Sequence, residues 1–358
     1  METIRIGIVG SGIGADHARA LALVPGAEVV AMAGTGSKRT RVVAAELGIP
    51  HVYDDWREML DRERLDALTI GAPNSFHAPI AVTALQKGLH VLCEKPLADT
   101  LAGAEQIARA AHASDRVFMM AFNLRYRPDS QACKAAVARG QLGQCYYARA
   151  GWMRASGIPG IGSWFTLKAL AGGGPVIDLG VHVLDLSLWM LGHPQPVSVA
   201  AATYAMLGPQ GRGGMGGGRF VSGQGGYEVE DLAAAFIRFA NGLTLSVEVS
   251  WASYGHIADG YYVQLYGDAG GVELDGTDRT RSDTVRLYGE GQGQRVEVHP
   301  AQAQDERQGG HNGVAQEFIA AIREGRASSA PVEDGLATQR IIDAIYRSAM
   351  AKSEVKVE

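Results

Sequence analysis

The first third of the chain alternates between short apolar runs and stretches whose apolar residues recur at helical spacing. Ile4–Val9, Glu28–Ala33, Leu65–Gly71, His90–Cys93 and Val117–Ala121 have the length and composition of strands buried in a parallel sheet. Between them the spacing predicts helices over Gly14–Leu23, Arg39–Leu47 (closed by Gly48), Pro79–Lys87 (closed by Gly88) and Thr100–His112. Strands separated by helices of this length predict a parallel sheet with helices on both faces. Such sheets bind ligands beyond the carboxyl ends of their strands.

The pattern changes after residue 122. Gln144–Met153, Val197–Met206, Ala233–Phe239, Leu243–Trp251, Tyr261–Tyr266 and Thr284–Tyr288 read as strands, several without a helix between them. An antiparallel or mixed sheet is therefore expected. Asn241-Gly242 is a hairpin signal. Ten of the nineteen positions from 208 to 226 are glycine, so this segment is expected to be a mobile surface loop, with a lid or an oligomer arm as alternatives.

Composition narrows the classes. A chain of 358 residues is too long for one small core and suits two domains. A net charge of −5 leaves no basic footprint, so no nucleic acid is expected as a partner. Cys93, Cys133 and Cys145 are few, odd in number and widely spaced, which suits a reducing compartment rather than a disulfide framework or a metal site. The chain opens on a strand pattern rather than a secretory leader, and no apolar run is expected to reach the length of a membrane span. The expectation is a soluble cytoplasmic protein with no membrane partner.

The loop after the first strand is Gly10-Ser11-Gly12-Ile13-Gly14-Ala15, which reads as G-x-G-x-x-A between a strand and a helix. Gly10 permits the tight turn, Gly12 lets the backbone approach a pyrophosphate, and Ala15 is small enough for helix to pack on sheet. After the second strand an acid would hold the ribose 2′-hydroxyl of NAD. Here Thr35, Ser37, Lys38 and Arg39 follow instead. They suit the 2′-phosphate of NADP; alternatively the two cations merely open a helix in solvent. Pro73, Asn74 and His77 fall at the same sheet edge, where a nicotinamide ribose would lie. The next strand stops on Glu94-Lys95-Pro96, and a lysine at the mouth of a buried strand implies an anionic or reactive neighbour.

A second cluster runs from Gly172 to Asp185. Asp178 and His182 are four apart, so a helix would place them on one face, where a carboxylate beside an imidazole supports acid–base chemistry near pH 7. Asp178 could equally cap a helix. No third ligand accompanies the pair, so no metal is expected.

Taken together these motifs resemble the Gfo/Idh/MocA oxidoreductases, named for glucose–fructose oxidoreductase and inositol dehydrogenase. The residues that carry the resemblance are the glycine loop, Ala72-Pro73-Asn74 with His77, Glu94-Lys95-Pro96, and the Gly172–Asp185 cluster. Asn123-Leu124-Arg125-Tyr126-Arg127-Pro128, Val229-Glu230-Asp231 and Asn241-Gly242 add to it. The chain departs from the family in the missing acid after strand two and in its glycine-rich insertion. The resemblance implies an α/β protein: a Rossmann dinucleotide-binding domain over 1–122, with a final helix at about 333–352 packing back on it, and an α+β domain over 123–332. That second domain would carry an open, mostly antiparallel sheet for substrate binding and oligomerisation, as a homodimer or homotetramer.

The resemblance also implies that Lys95, Asp178 and His182 are catalytic, with a cis Lys95–Pro96 bond. Cofactor contacts would come from Gly10, Gly12, Ile13, Ala15, Thr35, Ser37, Lys38, Arg39, Pro73, Asn74, His77, Glu94 and Lys95. Arg125 and Trp164 are further candidates for substrate contact. The implied activity is hydride transfer between NADP or NAD and a sugar, inositol or related polyol. A non-catalytic dinucleotide and sugar sensor, and a glycosidase that regenerates its cofactor each cycle, are the alternatives of the same fold.

Overall fold

Six parallel strands form the first sheet of the computed structural model, which describes residues 3–34, 38–215, 226–277, 283–300 and 310–358. They are β1 (Ile4–Val9), β2 (Ala27–Ala33), β3 (His51–Tyr53), β4 (Ala67–Ile70), β5 (His90–Cys93) and β6 (Phe118–Met120), in the order β3-β2-β1-β4-β5-β6. β1 pairs with β2 on one side and β4 on the other, so strand order reverses there. That reversal opens the crevice in which such sheets take their ligand. β4 and β6 are buried throughout and β1 and β5 nearly so, which explains their unbroken apolar character. Edge strand β3 and the short helix α3 (Trp56–Arg62) escape periodicity because neither is long enough to show one.

The helices of this unit are α1 (Gly14–Ala22), α2 (Lys38–Glu46), α3, α4 (His77–Gln86) and α5 (Leu101–His112). Thr100 caps α5, its hydroxyl accepting from Gly103 N at 3.2 Å. Such a cap contributes about 1 kcal/mol.

The second sheet has nine strands: β7 (Cys145–Arg154), β8 (Pro196–Tyr204), β9 (Leu232–Phe239), β10 (Thr244–Ser250), β11 (Asp259–Gly267), β12 (Gly271–Asp275), β13 (Val285–Gly291), β14 (Gln294–Val298) and β15 (Val355–Lys356). Their order is β14-β13-β12-β11-β7-β10-β9-β8-β15, and β7–β10 is the parallel pair in an otherwise antiparallel ladder. The β9–β10 hairpin turns at Asn241-Gly242. Gly242 has φ +85°, and Asn241 Oδ1 accepts from Leu243 N. Along β9 the residues Ala233, Ala235, Ile237 and Phe239 are buried and alternate with more exposed ones, so one face of the sheet carries the core. Helices α6 (Pro128–Ala138) and α8 (Val181–Leu191) pack on strands of this sheet, and a short α7 (Lys168–Ala171) lies between them in sequence.

Two further helices, α9 (His311–Glu324) and α10 (Val332–Ala351), complete the chain. Contacts divide it into Met1–Tyr126 with Glu306–Ala337, and Arg127–Asp305 with Thr338–Glu358, so the division falls inside α10.

One expectation needs revision. Lys168–Leu191 is, by length and composition, apolar enough to cross a bilayer, contrary to the reading of the sequence. It is 83% buried over its apolar window and is interrupted at Gly172–Pro175, so its apolarity serves the core of the second unit. In the glycine-rich segment, residues 216–225 lie outside the described residues. Before them the chain is anchored, because Asp231 Oδ2 accepts from Leu207 N at 2.6 Å and Gly208 N at 2.9 Å.

Candidate active site

The glycine loop joins β1 to α1 in a shape that only glycine permits at its first position. Gly10 has φ +104°, and a Cβ there would collide with the carbonyl of Gly71. At Gly12 a Cβ would meet open space within 4 Å, so nothing inside the protein demands glycine there. A ligand lying against the backbone does demand it, and the loop therefore fits a dinucleotide pyrophosphate at the start of α1. Ala15 is buried against the sheet, the Ile13 carbonyl accepts from Asp16 N and His17 N, and the Thr40 hydroxyl donates to Ser11 Oγ at 3.2 Å. Lys38 and Arg39 open α2 with exposed side chains, whereas Thr35 and Ser37 lie outside the described residues.

The neighbouring strand ends form a second, tighter cluster. Pro73 precedes a 3-10 turn, Asn74–Phe76, in which Asn74 is buried. His77 is buried too. Its Nδ1 lies 2.8 Å from the Pro96 carbonyl and its Nε2 2.9 Å from the Ala72 carbonyl, so the ring ties the loop after β4 to the turn after β5. Burial pushes the His77 pKa down, and the two carbonyls only partly oppose it.

Glu94 is likewise turned inward. Its Oε1 lies 2.8 Å from His17 Nε2 and 3.6 Å from His311 Nε2, and its other oxygen accepts from Lys95 N at 3.1 Å. Burial alone would raise the pKa of Glu94, but the hydrogen-bonded His17 and the nearby His311 outweigh it and hold the carboxyl well below the usual range. Lys95 itself is half-buried, and the Lys95–Pro96 peptide is cis. Ligand atoms of His17, Glu94 and His311 all lie within 4.8 Å of one another, a spacing a cation would accept. A ligating histidine uses its second nitrogen to donate to a carboxylate or carbonyl. Nδ1 of His17 has no partner among the described residues, so hydrogen bonding accounts for the cluster better than metal ligation.

In the second unit, Gly172–Pro175 leads into a π-helical turn, Val176–Gly180, that continues as α8. Side chains on Gly173 and Gly174 would collide with the Tyr346 hydroxyl and the Glu230 carbonyl. The buried Glu230 carboxylate accepts from Gly174 N at 3.0 Å, Val176 N at 3.1 Å and the Tyr346 hydroxyl at 2.9 Å, which fastens the start of this segment. Burial raises the Glu230 pKa, against those hydrogen bonds.

Asp178 sits in the π turn and His182 in the first turn of α8, so the regular α-helical face expected for the pair is replaced by a wider turn. Such bulges are frequent at functional sites. Asp178 Oδ2 accepts from the indole Nε1 of Trp251 at 2.8 Å. The His182 ring lies 5.5 Å from that of Trp152, whose own Nε1 donates to Asp259 Oδ1 at 2.9 Å. Sequence reasoning missed Trp251, Trp152 and Asp259, which lie far from the motif in the chain. Glu230 stood within a recognised landmark but without a role.

Two other candidates have different surroundings. The Arg125 guanidinium is buried, donating to Asp334 Oδ2 at 2.7 Å and the Ser329 carbonyl at 3.0 Å. Both partners belong to the fold of the first unit. Trp164 lies in a 3-10 turn and stacks on Phe165 at 3.9 Å.

Comparison with known proteins agrees with this fold. Residues 4–122 match the model of an oxidoreductase family with an NAD-binding Rossmann fold, and residues 134–357 match the C-terminal alpha/beta domain of the same family. D-glucoside 3-dehydrogenase of Escherichia coli is 30% identical over 356 residues, covering 99% of this chain and 97% of that one. Levoglucosan dehydrogenase of Pseudarthrobacter phenanthrenivorans is 29% identical over 391 residues, covering 100% and 99%. A solved structure of levoglucosan dehydrogenase in complex with NADH and L-sorbose superposes with a TM-score of 0.87 at 25% identity, covering all of both chains. The chain belongs to the Gfo/Idh/MocA family: it is an oxidoreductase with an NAD-binding Rossmann domain.

Proposed function

We propose that the protein transfers hydride between a nicotinamide cofactor and a hydroxyl-bearing carbon of a sugar, inositol or related polyol. Residues 1–122 hold the cofactor and residues 123–332 the substrate. The observation that carries the reading is the Asp178–His182 segment, fastened by Glu230 at its start and by Trp251 at the Asp178 carboxylate. The sugar dehydrogenases among the relatives support the substrate class.

The roles follow from the chemistry of each group. His182 takes the proton of the reacting hydroxyl, and in the reverse direction returns it. Lys95 donates a hydrogen bond to the same oxygen and stabilises its developing negative charge. Asp178 orients His182 or binds a substrate hydroxyl. When bound, the nicotinamide supplies the hydride acceptor or donor.

For the ribose 2′-position we infer a preference for NADP. The stretch after β2, Ala33-Gly34-Thr35-Gly36-Ser37-Lys38-Arg39, contains no acid, and its two cations suit a phosphate. A homodimer or homotetramer in the cytoplasm accompanies this reading, and light scattering of the purified protein checks the assembly.

The deciding experiment follows nicotinamide absorbance with a panel of sugars, inositols and polyols, using NAD and NADP in parallel. Stoichiometric reduced cofactor with at least one of them is expected. Absence of net turnover across the panel in both directions would overturn the reading, and a clear preference for NAD would overturn the inference about the 2′-position.

A further inference from the structure

We propose that His17 and His311 are positioning residues that act through Glu94 to fix Lys95. The inference rests on the role assigned to Lys95 above.

Three segments distant in sequence meet at one carboxylate. Glu94 precedes Lys95 and accepts its backbone N–H at 3.1 Å. The other oxygen lies 2.8 Å from His17 on α1, directly after the dinucleotide loop, and 3.6 Å from His311, the first residue of α9. α1 and α9 pack together, and the two imidazole rings are 5.6 Å apart. On the far side of Lys95, the Pro96 carbonyl is held by the His77 ring at 2.8 Å. The backbone of Lys95 is thus fixed from both neighbours, by side chains that are themselves largely buried: His17 is 2% exposed, His77 1% and Glu94 6%.

Charge reinforces the arrangement. Glu94, Asp16, His17 and Lys95 surround His311. Burial and Lys95 disfavour its protonation, but Glu94 and Asp16 prevail and raise its pKa. A buried carboxylate stripped of such a partner is costly, so loss of His311 frees Glu94 to move towards water and carry the Lys95 backbone with it. A reactive side chain displaced by a fraction of an ångström loses rate before it loses binding.

The test is a double-mutant cycle between His311→Ala and Lys95→Met, with kcat, substrate KM and cofactor Kd measured for each. His311→Ala is expected to lower kcat about tenfold while both binding constants change less than about twofold, and to cause no further loss in the Lys95→Met background. His311→Gln keeps an N–H for Glu94 and is expected to recover most of kcat. His311→Leu repeats the cycle if the alanine variant does not fold. Unchanged kcat in the single variant overturns the inference, as does an equal loss in both backgrounds, which would mean a role in the fold unrelated to Lys95. Full activity of Lys95→Met would instead remove the catalytic reading itself, and the inference with it.

Discussion

Trp251 donates its indole N–H to Asp178 over 2.8 Å, although the two residues are 73 positions apart. The indole is fully buried at the end of β10, so the carboxylate hangs from the core rather than from a surface loop. A polar group aimed by a rigid neighbour needs little reorganisation when substrate arrives. Trp251→Phe keeps most of the volume and removes the donor. We expect kcat to fall about tenfold and stability by about 1–2 kcal/mol, read from steady-state kinetics and a denaturant melt.

Lys95 and His182 are the groups whose loss should abolish chemistry without abolishing cofactor binding. Lys95→Met and His182→Ala are each expected to lose at least about a hundredfold in kcat. Cofactor affinity, followed by protein fluorescence quenching, should change little. Wild-type turnover in either variant removes the role assigned to that residue.

The two glycines that define the dinucleotide loop should fail in different ways. Gly10→Ala forces a side chain into a left-handed conformation and against the Gly71 carbonyl. It is expected to cost about 2 kcal/mol or more of stability. Gly12→Ala places its methyl in open space. The melting temperature should then hold while dinucleotide affinity drops about tenfold or more, equivalent to about 1.4 kcal/mol. Equal melting temperatures for the two variants would contradict the distinction.

Stability should depend on pH through the Glu94 cluster. Glu94 has a depressed folded-state pKa, so its contribution is present above the ordinary 4.5 and is lost as pH falls through the folded value. His311 has a raised one, so its contribution is complete below the ordinary 6.5 and is lost as pH rises through the folded value. Both operate between about pH 5 and pH 6.5. The melting-temperature difference between wild type and His311→Ala should therefore be largest there and shrink towards pH 9. His77, whose pKa is lowered by burial, lowers stability as pH falls below the ordinary 6.5. It does so in both proteins and so leaves their difference intact. A difference independent of pH would mean that His311 carries no charge in the folded state.

Much of this architecture is legible in the sequence. Fully buried strands such as Ile4–Val9 read as unbroken apolar runs, and β5 stopped where Glu94-Lys95-Pro96 said it should. Short or edge elements did not announce themselves: three-residue β3, fully exposed β14 and two-residue β15 show no period. The apolar span Lys168–Leu191 was misjudged because burial inside a protein and burial inside a bilayer select the same residues. Glu94 and His77 were placed among the cofactor contacts by their motif. Their side chains face buried partners that the motif does not name, His17 and His311 for one and the carbonyls of Ala72 and Pro96 for the other.

Local order in the chain is enough to specify a dinucleotide-binding sheet and a following domain with a second sheet, and to single out Lys95, Asp178 and His182 as candidates for the chemistry. Those features depend on spacing within a few turns or strands, and spacing is written in the sequence. The supports of that chemistry depend on three-dimensional neighbours. Trp251 reaches Asp178, Glu230 fastens Gly174 and Val176, and His311 reaches Glu94 across more than two hundred residues. Contacts of a few ångströms join groups whose distance along the chain carries no trace of the contact, so only the folded structure decides them.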